Sequence, residues 1–479
     1  MTVTSKTPTL LILLAATVLG GCNMAPRYVR PTGAVPATMP DGGVYPAAST
    51  DGQDVSAIGW RDFFLDPKLR EVIALGLENN RDLRLAAANV VQARAQYRVQ
   101  RSNVLPTLNA TGSATFGNSQ GLAAGSSAGT ATGSGGGTLE IYQANVGVSA
   151  FELDLWGRLR NLNEAALQQY FATEEARKAT RISLIAEIAS AYLTLASDRD
   201  MLTIAEETLE SYGRTRALTE AQFRVGTASE LEMRQADTSY QSARNDVAAL
   251  TAQIAQDKNA LDLLAGTTVA EDLLPSGLGE GDYTLSNLPA DLSSSILLSR
   301  PDVQQAEHQL IAQNANIGAA RAALFPTISL TASLGTVSPS LSGLFGDGSK
   351  AWSTAPAATL PIFDFGRRTG NLAVAKAQQQ GAVASYEKTV QAAFREVADA
   401  LATRGTIDER LSALATRAES ANVAARLSDA RYRAGVDSFL NLLVSERTAY
   451  GARRDLVTAR LNRVTNLVTL YRSLGGGLN

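Results

Sequence analysis

"LPTLNATGSATF", Leu105–Phe116, alternates without a break from Thr107 onward. Thr107, Asn109, Thr111, Ser113 and Thr115 are polar, whereas Leu108, Ala110, Gly112, Ala114 and Phe116 are not. A period of two sends these sets to opposite faces of a strand, one apolar and one lined with small hydroxyls. "FPTISLTASL", Phe325–Leu334, repeats the pattern, with Pro326 lying 220 residues after Pro106. Both strands sit in a chain that otherwise reads as helix. Pro is absent from Thr107 to Leu274 and from Ile362 to Asn479, which leaves room for very long helices.

The chain is written twice. "FELDLWGRLRN" (Phe151–Asn161) matches "LPIFDFGRRTGN" (Leu360–Asn371), and "QFRVGTASELEMRQADTSY" (Gln222–Tyr240) matches "RYRAGVDSFLNLLVSERTAY" (Arg431–Tyr450). Gly157 pairs with Gly366 and Gly226 with Gly435, both 209 residues apart. The first half therefore carries 11 more residues between its Pro and its Gly-Arg, and these fall in the Gly/Ser-rich loop Gly117–Gly137. Each half reads helix, strand, loop, strand, long helix, turn, helix. The opening helix starts near Asp66-Pro67, breaks at "ENNRD" and restarts with Asp82 as N-cap. "RPD", Arg300–Asp302, does the same job in the second half. The return strand around Tyr142–Ala150 changes phase at Phe151, Leu153 and Leu155, which predicts a bulge or a barrel rim. The fourth strand, Trp352–Ile362, is weak, with Pro356 inside it. Arg158–Val225 and Arg367–Ala434 predict helices of roughly 100 Å at 1.5 Å per residue. Ile185, Ile188, Tyr192, Leu195, Leu202 and Leu209 form a partial heptad that Arg199 and Glu206 interrupt, so the helices suit neighbours on two sides better than a two-stranded coil.

The N-terminus reads as a targeting segment. Lys6 is followed by the short apolar run Leu10–Gly21, and "LGGC" ends at Cys22, the only cysteine. Small residues directly before a cysteine predict lipoprotein processing, with Cys22 as the acylated residue. Asn23 in place of Asp favours sorting to an outer membrane. The alternative is an ordinary secretory signal. No later run reaches 18 apolar residues, so a bilayer would have to be crossed by strands. A strand of about ten residues with one aliphatic and one hydroxyl face fits a tilted strand between lipid and a wet lumen. The alternative, a half-buried strand of a soluble sandwich, leaves two lone hairpins with no sheet to join. Four strands cannot close a barrel, and open edges are not tolerated in lipid. Two copies would give an interior that side chains fill, while three copies, with twelve strands, are wide enough for a channel.

A net charge of −3 gives no sign of a nucleic-acid partner. The single histidine, His308, has no Cys or His partner, so a metal site of that type is not expected; it reads as packed or solvated on a helix. No nucleophile elbow, phosphate loop or dinucleotide fingerprint is present, and neither catalysis nor a cofactor is expected. Two turns stand out. Gly226-Thr227-Ala228-Ser229 and Gly435-Val436-Asp437-Ser438 each place Gly as a helix C-cap and Ser as the N-cap of the returning helix. Beyond the second turn, Leu440, Val444 and Arg447 share one helical face.

The Cys22 segment "CNMAPRYVRP", "WRDFFLDPKLREVIALGLENNRDLRLA", the two Pro-led strands, "FELDLWGR" and "YRAGVDSFLNLLVSER" together resemble the outer membrane factor (TolC-like) family, in its lipoprotein branch. The resemblance covers nearly the whole mature chain. It implies a mixed α/β membrane protein: a homotrimer with a twelve-stranded outer-membrane β-barrel, four strands per chain, continued by a long periplasmic α-helical barrel. It further implies an exit duct of a tripartite efflux system, partnered by a periplasmic adaptor and an inner-membrane transporter of the resistance-nodulation-division type. The turns at Gly226, Thr227, Gly435, Val436 and Ser438 become periplasmic tips that meet the adaptor. Leu440, Val444 and Arg447, with Asp437, become gate residues, and Glu446 and Glu232 become partners for Arg447 or Arg234. Val444 stands where relatives often carry Asp, which implies a more apolar constriction. The division that follows is a signal peptide over 1–21, an anchored segment over 22–65, repeats over 66–266 and 293–474, a connector over 267–292 and a tail over 475–479. Two rival readings are a type I protein-secretion duct and a lipid-anchored coiled-coil scaffold without a pore.

Overall fold

In the computed structural model the described residues are 23–46, 58–118, 138–279, 283–285 and 293–477. Cys22, the processing segment, most of the Gly/Ser-rich loop and part of the connector lie outside them. The elements run α1 (Pro67–Asn79), α2 (Arg81–Ser102), β1 (Leu108–Asn118), β2 (Thr138–Glu152), α3 (Arg158–Arg224), α4 (Glu230–Ala265), α5 (Pro301–Ala322), β3 (Thr327–Ser338), β4 (Lys350–Thr359), α6 (Arg367–Arg433) and α7 (Phe439–Ser473). Both long helices, α3 and α6, have 67 residues, in line with their Pro-free sequences. Helix α1 begins as expected: Asp66 caps it by accepting from the Lys68 and Leu69 amides, with Pro67 in the first turn. The cap of α2 is Asn80, not Asp82. Asn80 Oδ1 accepts from the Leu83 amide at 2.9 Å while its Nδ2 donates to the Leu264 carbonyl at 3.0 Å, so the residue with two uses outcompetes its neighbour.

The chain divides into two compact units. One contains residues 91–172 and 307–384 with the N-terminal segment up to Arg30, and it holds a four-stranded antiparallel sheet in the order β1-β2-β3-β4. The two hairpins have the same register. Leu108 faces Val148 and Gly112 faces Ala144 in the first, and Ile328 faces Ala358 and Ala332 faces Thr354 in the second. The predicted phase change is a bulge between Val148 and Phe151, where Ala150 takes φ +50°. Strand β4 is shifted from the expected Trp352–Ile362: it starts at Lys350, opposite Thr336, and stops at Thr359, before Pro361 withdraws an amide donor.

The other unit contains residues 31–90, 173–306 and 385–479. Its centre is aromatic. Trp60, Phe63 and Phe64 of the "WRDFF" motif are buried, Phe63 stacks on Tyr471 at 3.9 Å, and the Tyr471 hydroxyl donates to the Ile58 carbonyl at 2.7 Å. Ile185, Ile188 and Tyr192 of the partial heptad close this core. No uninterrupted apolar run of 18 residues occurs in α3, but an 18-residue window of it is apolar enough on average to cross a bilayer by composition, and half of that window is buried within the chain. Arg300, 7% exposed, joins three helices by bonding Asp302, Glu396 and the Ser473 carbonyl. Helix α4 ends at Gly266, whose φ of +70° is left-handed and where a Cβ would stand 2.5 Å from the Asn79 carbonyl oxygen. Gly266→Ala therefore meets both backbone strain and a backbone clash, and it is expected to destabilise the protein by about 1–3 kcal/mol. The thermal midpoint of the detergent-solubilised protein, followed by helical circular dichroism, checks this.

Candidate functional site

Pairing across the sheet sorts its side chains into two faces. On one lie Leu108, Ala110, Ala114 and Phe116 of β1, Val146 and Val148 of β2, Ile328, Leu330 and Leu334 of β3, and Trp352 and Ala358 of β4. On the other lie Asn109, Thr111, Ser113, Asn145, Gln143, Thr331, Ser333 and Ser353. Leu108, Phe116, Leu334 and Trp352 are all at least 60% exposed, so none of the described residues covers them on the apolar face. The hydroxyl face bonds within itself, with Ser333 and Ser353 at 2.8 Å. Aromatic side chains gather at two levels. Phe116 meets Tyr142 edge-on at 5.8 Å toward the loop end, whereas Trp352 sits at the register level of Leu334, Val146 and Ala110. At the helix end Trp156 stacks on Phe325 at 4.9 Å, and Phe363 meets Phe365 at 4.6 Å.

The N-terminal residues Asn23–Arg30 lie along α5 in the same unit. Arg321 and Asn314 donate to the Met24 and Pro26 carbonyls, and Arg30 and Tyr28 bond Glu307. Gly318 admits the strap, because a Cβ there would come within 2.7 Å of the Ala25 amide. The strap runs antiparallel to α5, so Asn23 lies near the helix end that leads into β3. His308 is packed, with Nδ1 2.6 Å from Gln168 Oε1 and its ring against Phe171. Among the described residues, no group of three His, Cys, Asp or Glu is arranged to hold a metal ion.

The two turns at the ends of α3 and α6 have the same geometry. Gly226 (φ +81°) and Gly435 (φ +72°) end the helices, and the amides of Thr227 and Val436 reach back to the carbonyls of Gln222 and Arg431. Ser229 and Glu232 then form a reciprocal capping box, and Ser438 caps α7. Glu232 is thus occupied at the cap, and Arg234 pairs with Glu230 one turn away. Asp437 accepts from Asn441, the Ser438 amide and Arg431, and these bonds hold its carboxyl below the usual range. Leu440, Val444 and Arg447 are exposed on one side of α7, while Leu442 and Leu443 pack inward with Phe439 and Tyr432. Arg447 forms no ion pair with the other described residues of the chain. Glu446 points away from it, accepts from Ser211 at 3.1 Å, and is pushed up by burial. It lines a cavity of about 520 Å³ with Tyr212, Asp429 and Arg453. The expected pairing of Glu446 or Glu232 with Arg447 or Arg234 is therefore not made within the chain.

The contacts that tie the two repeats together at this end were not foreseen. The Tyr432 hydroxyl donates to Gln222 Oε1 at 2.7 Å, and the Tyr450 hydroxyl donates to Asp246 at 2.9 Å. The repeat carried one signal: Tyr432 stands where the first half has Phe223, so only one tip owns the hydroxyl.

The matching model of the outer membrane efflux protein family covers residues 72–267 and 292–476. The chain is 44% identical over 468 residues to the probable efflux pump outer membrane protein TtgC of Pseudomonas putida, covering 97% of this chain and 95% of that one. It is 41% identical to the outer membrane protein OprJ of Pseudomonas aeruginosa, over 97% and 95% of the two chains. Among solved structures, the open state of the Neisseria gonorrhoeae MtrE outer membrane channel superposes with a TM-score of 0.83 at 39% identity, covering 95% of this chain and 99% of that one. The chain belongs to the outer membrane efflux protein family, with the TolC-like fold of four antiparallel strands and long helices in two halves. Membership decides against a pore-less scaffold and against an enzyme.

One electrostatic feature lies on the long helices. Asp198 of α3 meets Asp257 of α4 carboxyl to carboxyl, and burial with this hydrogen bond pushes Asp198 up to about 6. Asp257 Oδ2 is buried and has no other donor. The raised value means that protonated Asp198 stabilises the fold below the ordinary carboxylate value, a contribution lost as pH rises through about 6. Wild-type thermal stability should therefore fall between pH 4 and 7 through this pair, and Asp198→Asn, whose amide supplies the donor permanently, should flatten that part of the profile. Thermal melts across this pH range for the two proteins decide it.

Proposed function

We propose that the chain is the outer-membrane channel of a tripartite efflux system, working as a homotrimer that passively conducts small toxic compounds. The observation that carries this reading is the sheet with an uncovered apolar face and two unpaired edges, β1 and β4. In lipid those edges need partners, and three copies of four strands close into a twelve-stranded barrel. The aromatic levels support it. Trp352 and Phe363 lie 11 residues apart, roughly 36 Å of extended chain or about 28 Å of height at a 40° tilt, close to the height of a barrel's apolar band. Relatives named as toluene and antibiotic efflux pump outer membrane proteins support solvents or antibiotics as cargo.

Lipid on Cys22 fits the strap, which leads its first described residue toward the start of β3. Residues 1–21 act as the signal, the two repeats (66–266 and 293–474) each supply a hairpin and a pair of tunnel helices, and 267–292 joins them. The tips at Gly226 and Gly435 receive the periplasmic adaptor, and a resistance-nodulation-division transporter supplies the energy. Leu440 and Val444 narrow the passage by exclusion, and Arg447, which forms no ion pair among the described residues, adds a charge barrier. Adaptor binding shifts the tips from closed to open. In planar bilayers the purified protein should give a small, flickering conductance, and Leu440→Gly or Arg447→Ala should raise it severalfold. Absence of any conductance from protein of trimeric mass would overturn the reading.

A further inference from the structure

The described chain starts at Asn23, and its first residues are held in place. The Pro26 carbonyl accepts from Asn314 at 2.7 Å, and the Met24 carbonyl accepts from Arg321 at 3.2 Å. Between them Ala25 passes over Gly318, where a Cβ would come within 2.7 Å of both the Ala25 amide and the Asn161 side chain. The strap thus crosses the seam between α5 and the start of α3 as it moves up α5 toward β3. Asn161 donates to the Gly157 carbonyl at 2.7 Å, so the seam lies one residue from Trp156. Beyond Arg321 the backbone keeps its helical path, with the Leu324 and Phe325 amides bonding the carbonyls of Arg321 and Ala322. Phe325 is four residues past Arg321, about 6 Å at the rise of a helix, and two extended residues beyond Met24 reach about 7 Å. At that level stands an aromatic ledge. Trp156 stacks on Phe325 at 4.9 Å, and its indole N–H donates to the Pro326 carbonyl at 2.9 Å. Phe325 and Leu153 are still 39% and 38% exposed. Above the ledge, β2 and β3 carry an apolar ladder, with Phe151 opposite Leu330 and Val148 opposite Ala332.

We infer that the lipid carried by Cys22 is seated on this chain's own sheet, with the cysteine beside the Trp156–Phe325 ledge and the acyl chains lying along the Phe151/Leu330 and Val148/Ala332 ladder. This rests on the acylation of Cys22 proposed above and adds the surface on which the chains lie. The depth agrees. Thr327 to Ala332 is five residues of strand, roughly 17 Å, or about 13 Å of height at a 40° tilt, and one leaflet of the hydrocarbon core is about 15 Å deep. The strap also suits a lipid boundary, because Met24 and Pro26 arrive there with their carbonyls already bonded. A lipid tethered two residues from a fixed point stays beside the ledge, whereas a phospholipid exchanges into the leaflet. The seat falls on β2–β3, the strand pair that joins the two repeats, so the anchor packs against the seam of the chain that carries it.

The test puts the photoreactive p-benzoylphenylalanine in place of Phe325 in the full-length protein, irradiated in native outer membranes. Leu153 takes the same label as a second site outside the aromatic stack. After trypsin digestion, mass spectrometry should find the labelled fragment joined to the acylated fragment Cys22–Arg27. The same label in place of Leu334, 69% exposed on the apolar face, should give on the order of ten-fold less of this adduct and capture phospholipid, because nine residues of strand, roughly 30 Å, exceed the depth of a leaflet. Arg321→Ala/Asn314→Ala removes both donors to the strap and should lower the yield at position 325 severalfold with Cys22 still acylated. Acylated protein whose labels at 325 and 153 capture only phospholipid, or capture the N-terminal fragment no more than the label at 334 does, would overturn the inference and leave the anchor standing. A yield that the double variant leaves unchanged would overturn it as well. A Cys22–Arg27 fragment without acyl chains would remove the anchor, and the seat with it.

Discussion

Inside a bilayer, backbone N–H and C=O groups have no water to bond, and an unpaired one costs several kcal/mol. That constraint governs the reading of this chain. Among the described residues its sheet has four strands and two bare edges, with an apolar face that none of them covers. A soluble protein would bury such a face or break it with charge. Here the face is continuous across all four strands, and aromatic side chains mark its two ends.

The internal repeat solves a geometric problem. One helix–hairpin–helix unit, used twice, supplies strands in register and helices of equal length, so copies can be joined without a special seam. Departures from the repeat are where the halves specialise. Trp156 packs on Phe325, while its counterpart Phe365 is left bare. Tyr432 carries a hydroxyl to Gln222, while its counterpart Phe223 has none to offer. The tips share one turn geometry and each exposes a leucine at the matching place, Leu231 and Leu440, but the second follows it with Val444 and Arg447 where the first has Gln235 and Thr238.

Much of the fold was legible because it rests on local periodicity. Strand alternation, Pro-free stretches and Gly-Ser turns are written in neighbouring residues, and the helices, β1, β3 and the bulge followed from them. The N-cap of α2 was misread because Asn80 and Asp82 are both good caps in isolation; the bond from Asn80 to Leu264, 184 positions away, decided between them. The tip was half legible. The turns and the exposed face of α7 came from spacing, but the partners of Glu446, Glu232 and Arg234 did not. A carboxylate's partner depends on which helix packs beside it, and Ser211 lies 235 residues from Glu446. The carboxyl pair Asp198–Asp257 was hidden for the same reason.

The claim on which the rest stands is that the alternating strands face lipid on one side and water on the other. The direct test is a nitroxide scan of Leu108–Phe116, one label at a time, in the reconstituted full-length protein. The account predicts that collision rates with oxygen and with a water-soluble nickel complex alternate out of phase, oxygen highest at Leu108, Ala110 and Ala114, and nickel highest at Asn109, Thr111 and Ser113. Uniform access to the nickel complex along the whole strand would contradict it.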